Sequence, residues 1–402
     1  MDNDPVIAFV SLHTSPTAVP GTGDAGGMNV VELHQAQELA AMGHRVELIT
    51  RRSDPDIPQV ARIAPRLTLR QLDAGPPRIV AKSQQEELIG EFSDRLGELA
   101  PYDLVHSQHW MSGVAALPVA QRWGVPHLQS YHSIAAQKIG LPLSEGEPPE
   151  SPGRVDGEAL VARDSDRVVA VSQAEAATVV ERCGGDPDRV VVVPPGVDAQ
   201  VFRPLRDGEQ PWRPGIQPYL VFAARLQPLK APDVVIRALG MIDPHVRPRL
   251  VLAGDGSPDF PTYAATLQRL VAEAGLESSV VFVGSLPRRE LAQLLRGAAA
   301  AVVPSYSETF GLIALEAEAS GIPVVAARGS GGLEESVLDG RTGVLVDGHA
   351  PEAWAAALTG LLTDEERRLR LGRGAREFAA EMTWRRSAEG LWACYRDVWE
   401  LM

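Results

Sequence analysis

At 402 residues, with 45% hydrophobic side chains and a net charge of −14, the chain is globular and too long for one ordinary core. The acidic balance argues against nucleic acid as a main partner, and an anionic substrate then needs a local cluster of Arg and Lys. No apolar run approaches the ~20 residues of a membrane span, Met1-Asp-Asn-Asp-Pro5 lacks a basic signal region, and two distant cysteines, Cys183 and Cys394, form no metal pattern, so a reducing cytoplasm is expected.

Apolar, β-rich runs alternate with amphipathic helical stretches, the pattern of parallel sheets wound with helices. Strands are expected at 6–12, 46–50, 104–106, 127–131, 168–171 and 190–193, with a helix from about residue 27 to 42 closed by Gly43. A Pro-, Gly- and Glu-rich loop covers 140–157. Pro194-Pro-Gly-Val-Asp198 reads as a hinge. Beyond it, strands are expected at 219–223, 249–253, 280–283, 298–303, 323–326 and 344–346. The domains are then 1–195 and 196–383, and residues 384–402 form a Trp- and Tyr-bearing helix packing across them. The fold class is α/β: two doubly wound, Rossmann-like domains facing across a cleft, with ligands at the carboxyl ends of their strands.

The richest motif is Ser305-Tyr-Ser-Glu-Thr-Phe-Gly-Leu-Ile-Ala-Leu-Glu316, in which a strand feeds a polar loop and then a helix. Backbone N–H groups at a helix start favour a phosphate. Glu308 and Glu316 lie about two turns, roughly 12 Å, apart. One carboxylate suits a sugar ring and the other a ribose diol, though a plain turn with two solvated glutamates fits the same residues. Arg225 and Lys230 follow the first strand of the second half, placed to neutralise a diphosphate leaving group. The first strand leads into a loop in which Gly21, Gly23 and Gly26 satisfy G-x-G-x-x-G. About nine residues separate it from the strand, and no acid stands at the end of the next strand, where Thr50-Arg51-Arg52 lies. A redox role is therefore disfavoured, and close approach to a sugar or phosphate suits the loop better. Asp54-Pro-Asp56, Asp164-Ser-Asp166 and Asp186-Pro-Asp188 match D-x-D but read as turns, so no catalytic metal is expected. His132 ends an apolar strand and can bond a substrate hydroxyl or be structural; His106, before His109 and Trp110, reads as structural.

Taken together, the two-domain plan, Arg225 with Lys230, and Glu308 with Glu316 resemble the retaining glycosyltransferases of family 4, of GT-B fold. The first loop, His13-Thr-Ser-Pro and then Pro20-Gly-Thr-Gly-Asp-Ala-Gly-Gly-Met-Asn29, is similar to that of the group opening mycothiol synthesis, which joins N-acetylglucosamine from UDP to inositol phosphate. The resemblance implies a metal-independent hexosyl transfer that needs no cofactor, with a UDP- or GDP-sugar as donor substrate and a small polar acceptor as partner. It implies no nucleic acid, no membrane insertion, and a homodimer as one possible assembly. His132, Arg225, Lys230 and Glu308 would be catalytic. Gly27, Phe310, Gly311, Leu312 and Glu316 would complete the donor site, with Glu316 on the ribose. His13, Asn29, Lys82, His109, Ser133 and Arg154 would hold the acceptor. His109 stands where the family has a tyrosine, and Leu286 where it has an arginine near the nucleobase. S-glycosyltransferases of lincosamide pathways, joining a GDP-octose to ergothioneine, are a related alternative. An epimerase or hydrolase on the same plan, or a non-catalytic nucleotide-sugar binder, represents another class.

Overall fold

Strands of a parallel sheet covered on both faces favour apolar residues, which is why many of them here read as Val, Ile, Leu and Ala runs. The computed structural model describes residues 4–20, 25–80, 82–135, 151–210, 212, 218–257 and 260–400. The chain divides into two units, the first ending at Pro195 and resuming at Trp384, the second running from Gly196 to Thr383 over the described residues.

The first unit contains β1 (Val6–Ser11), α1 (Gly27–Ala41), β2 (Arg45–Arg51), β3 (Val60–Ala64), β4 (Leu67–Leu72), α2 (Lys82–Gln85), α3 (Ile89–Gly97), β5 (Leu104–Gln108), α4 (Trp110–Trp123), β6 (His127–Ser130), α5 (Pro152–Asp164), β7 (Arg167–Ala170), α6 (Gln173–Cys183) and β8 (Val190–Val192). Its sheet runs β3-β4-β2-β1-β5-β6-β7-β8, parallel except where β3 meets β4. That antiparallel edge hairpin is absent from the sequence-based expectation. Its strands turn at Pro65-Arg66, with Arg66 in the left-handed region at φ 63°; Arg62 and Arg70 interrupt their apolar residues, and β3 buries no residue fully.

The second unit contains β9 (Tyr219–Ala223), α7 (Pro232–Met241), β10 (Arg249–Ala253), α8 (Tyr263–Glu273), β11 (Val280–Phe282), α9 (Arg288–Arg296), β12 (Ala300–Val303), α10 (Leu312–Ala319), β13 (Val324–Ala327), α11 (Leu333–Ser336), β14 (Gly343–Val346), α12 (Pro351–Thr363) and α13 (Glu365–Glu381). Its all-parallel sheet runs β11-β10-β9-β12-β13-β14.

The last helix, α14 (Trp384–Glu400), belongs to the first unit. Ala388, Leu391, Tyr395 and Val398 bury one of its faces in a core with Ile7, Phe9 and Leu39. A buried leucine such as Leu391 contributes roughly 1.5–3 kcal/mol relative to exposure. The Tyr395 hydroxyl lies 2.8 Å from His106 Nδ1, whose Nε2 lies 2.9 Å from the Ser130 hydroxyl. Ser130 itself donates to the Val169 carbonyl at 3.1 Å, so His106 donates from Nε2 and accepts at Nδ1. His106 is therefore a neutral structural group, and burial first, then His132 and His127, hold its pKa well below the ordinary value.

Both sheets reverse their winding once, between β1 and β5 in the first unit and between β9 and β12 in the second. Such switch points open crevices at the strand carboxyl ends, where doubly wound sheets take their ligands.

Candidate active site

In the second unit the switch point is flanked by the loops after β9 and β12, which carry most of the residues expected to act on a donor. Lys230 closes a short 3-10 turn after β9, and its Nζ donates to Glu308 Oε1 at 2.6 Å. The Ser305 hydroxyl donates to the same oxygen at 2.7 Å. Backbone bonds clamp the loop: Glu308 N–H to the Ser330 carbonyl at 2.8 Å, and Gly332 N–H to the Glu308 carbonyl at 2.9 Å. A Cβ on Gly332 would lie 2.0 Å from the Thr309 carbonyl oxygen, so that approach requires glycine. Gly311 caps α10 at φ 94°, a conformation glycine adopts without strain, and leaves the first-turn N–H groups of α10 without intrahelical partners. Phe310 is buried beneath this loop. Arg225 stands partly exposed just beyond β9.

Glu316 lies further along α10, buried at 5% exposure, and Arg288 Nη1 meets its Oε1 at 2.8 Å. Burial raises its pKa and Arg288 opposes the rise. Arg288 is a site residue that the sequence reading passed over. It opens α9, two positions after Leu286, and its guanidinium lies 4.8 Å from the ring centroid of the buried Phe202.

In the first unit the loops after β1, β5 and β6 meet at the switch point. Asn29 is buried at the start of α1, but its amide is engaged within its own loop. Oδ1 accepts from Gly26 N–H at 2.9 Å and Nδ2 donates to the Ser15 carbonyl at 2.8 Å. It therefore ties the segment at Ser15 to the start of α1, which Gly27 opens. Gly21 and Gly23 lie outside the described residues, as does the Lys82 side chain. The His13 and His109 rings pack at 4.2 Å between centroids.

His109 and His132 both adopt left-handed backbone, at φ 74° and 59°. Strain of this kind persists where surrounding structure enforces it, commonly at ligand sites. His132 Nε2 donates to Gln108 Oε1 at 2.6 Å, and burial pushes the imidazole down to about 4, so it is neutral at pH 7. Gln108, fully buried at the end of β5, is the second residue the sequence reading missed; the polar run His106-Ser-Gln108 closing the strand was its signal.

Arg154 reaches Ser133, donating to its hydroxyl at 3.1 Å and its carbonyl at 3.2 Å. Its Nε also donates to Glu158 at 2.8 Å, and both Glu158 oxygens accept from Ala135 N–H at 3.0 Å. The pair thus fixes the segment that follows β6.

One aspartate of each Asp-x-Asp pair serves the backbone. Asp54 and Asp186 each accept from the N–H two residues on, at 2.9 and 3.0 Å. Asp166 accepts from His127 N–H at 2.8 Å. Cys183 and Cys394 are buried free thiols that burial pushes up to about 12 and about 11.

Two family models match the chain: Glycosyl transferase 4-like domain over residues 26–196 and Glycosyl transferases group 1 over residues 208–378. A D-inositol 3-phosphate glycosyltransferase of Stackebrandtia nassauensis is 42% identical, covering 98% of this chain and 91% of that relative. The protein so named in Nocardia farcinica is also 42% identical, covering 98% and 90%. The chain belongs to the D-inositol 3-phosphate glycosyltransferase family. Sucrose-phosphate synthase of Thermosynechococcus elongatus matches with a TM-score of 0.88 at 27% identity, over 99% of this chain and all of that one. The structure of Anabaena HepE with UDP and glucose matches with a TM-score of 0.76 at 19% identity, over 98% of this chain and all of that one. The fold is GT-B, and the protein is a glycosyltransferase.

Proposed function

We propose that this glycosyltransferase transfers N-acetylglucosamine from UDP to an inositol phosphate, with retention of anomeric configuration and without a metal ion. The observation that carries the reading is the convergence, within one unit, of Lys230 and Glu308 at 2.6 Å beside the Gly311-capped start of α10. A diphosphate suits that helix start and the neighbouring Arg225 and Lys230, and a sugar hydroxyl suits Glu308. The name shared by relatives 42% identical over almost the whole chain favours an inositol phosphate as acceptor.

In the proposed reaction the bond from the anomeric carbon to the diphosphate oxygen breaks as the acceptor oxygen attacks the same face. The acceptor proton passes to the departing phosphate oxygen. Arg225, Lys230 and the α10 N–H groups stabilise charge developing on that oxygen, as preorganised donors do. Neutral His132 contributes a hydrogen-bonding ring rather than a cation. One aspartate of each Asp-x-Asp pair accepts from a backbone N–H, which favours their reading as turn and strand-end residues over metal ligands.

The test is incubation with UDP-N-acetylglucosamine and inositol 3-phosphate, with the product followed by proton NMR. A disaccharide-like product with an α-anomeric coupling supports the reading. A β linkage overturns retention, and turnover only with a GDP-sugar and a thiol acceptor overturns the substrate assignment.

A further inference from the structure

The Arg288–Glu316 ion pair demands an account because it occupies one of the carboxylates assigned to the donor. We propose that Arg288 is a positioning residue for donor binding, holding Glu316 as a charged, oriented acceptor for the vicinal diol of the nucleotide's ribose. The inference rests on the reading of Glu316 as the ribose ligand.

The chemistry follows from burial. A carboxyl group at 5% exposure is pushed toward its neutral form unless a cation or several donors favour the charge. An ionised carboxylate accepts at both oxygens and so can take both O–H groups of a diol, whereas a protonated one carries a donor of its own and loses acceptor capacity. Arg288 Nη1 sits 2.8 Å from Oε1 and favours its charged form against burial. The guanidinium is itself held by the face of Phe202, 4.8 Å away and fully buried, so its position is set before any ligand arrives.

Among the described residues, the other elements packed on α10 supply no substitute. β12 and β13 carry no charged residue. On α11, Glu334 accepts from Gly329 N–H at 2.7 Å, and its neighbour Glu335 is also an acid. Arg376 of α13 donates to the Ala319 carbonyl at 2.9 Å. Arg289 and Glu290 follow Arg288 on α9, and neither makes an ion pair with Glu316. The other acid of α10, Glu318, is buried, and burial raises its pKa while Thr342 opposes the rise.

The sign of the pH effect is fixed. With its pKa raised, Glu316 loses its charge as pH falls, and removing Arg288 moves that loss to higher pH. The experiment is calorimetric binding of UDP, GDP and their 2′-deoxy counterparts at pH 6 and pH 8.5 to wild type, Arg288→Ala, Arg288→Gln and Arg288→Lys, each checked for folding by circular dichroism. A hydrogen bond to a charged group corresponds to roughly ten- to a hundred-fold in affinity. Wild type is expected to prefer the ribonucleotide by at least about ten-fold at both pH values. Arg288→Ala and Arg288→Gln are expected to lose that preference at pH 6 and regain much of it at pH 8.5, and Arg288→Lys is expected to keep it. Full preference in Arg288→Ala or Arg288→Gln at pH 6 overturns the inference. A wild type that binds UDP or GDP but ignores the 2′-hydroxyl also overturns it, while leaving the glycosyltransferase reading standing. Failure of wild type to bind either nucleotide removes the donor site itself.

Discussion

At the strand ends of the second unit, charge meets charge: Lys230 with Glu308 at 2.6 Å and Arg288 with Glu316 at 2.8 Å. At those of the first unit, the candidate site groups His109 and His132 sit on strained backbone, and the His132 ring is neutral. His132 is bonded to Gln108, His109 rests on His13, and both His109 and His132 are held at positive φ. A buried ion pair there, Arg154 with Glu158, fastens the Ser133 segment. The difference matches the proposed division of labour. A diphosphate leaving group develops charge that fixed cations must meet, whereas a polyhydroxylated acceptor needs an outline of donors and acceptors.

If Arg154 holds the first unit's site in shape, its removal has the largest effect on the molecule. Arg154→Ala removes the guanidinium that Glu158, at 1% side-chain exposure, is paired with at 2.8 Å. Breaking such a pair costs about 3–5 kcal/mol, so denaturant melts should show a clear drop in midpoint. A loss under about 1 kcal/mol would place the pair among ordinary surface contacts. In the second unit the same type of change should strike turnover instead. Lys230→Ala is expected to lower kcat by roughly 10²–10³ with the fold intact, as loss of a preorganised donor to a developing oxyanion does. Near-wild-type kcat would erase the contrast between the units.

A smaller effect sharpens the account of the first unit. Glu32 is fully buried, accepts from the Ser11 hydroxyl at 2.5 Å, and is pushed up to about 8 by burial. Its folded pKa lies above the unfolded 4.5, so its contribution to stability is complete below about pH 4.5 and is lost as pH rises toward about 8. Glu32→Gln should therefore gain on wild type steadily between these limits, and parallel pH–stability curves would contradict a buried neutral acid. Smallest of all is the change at the exposed Arg328, which pairs with Asp339 at 2.6 Å and Asp347 at 2.8 Å. Arg328→Ala should alter stability by less than about 1 kcal/mol and leave kcat unchanged.

The legible parts of this molecule are those with short-range signals. Apolar runs mark many of the parallel strands, and Gly43 at φ 102° ends α1 where the sequence pattern does. The strand–loop–helix run from Ser305 to Glu316 was readable for a similar reason: its glycine cap and acids are fixed by local geometry. What escaped was pairing at a distance. Arg288 meets Glu316 across 28 positions, and Gln108 meets His132 across 24. No periodicity couples such residues; only the sheet order brings them together. Asn29 shows the reverse, since its place in the first turn was legible while the engagement of both amide atoms within its loop was not.

The most direct measurement is the rate of UDP release from UDP-N-acetylglucosamine, with and without inositol 3-phosphate, for wild type and Lys230→Ala. The account predicts release that depends on the acceptor and falls at least about 10²-fold in the variant. Release that ignores the acceptor, or survives the loss of Lys230, would contradict it.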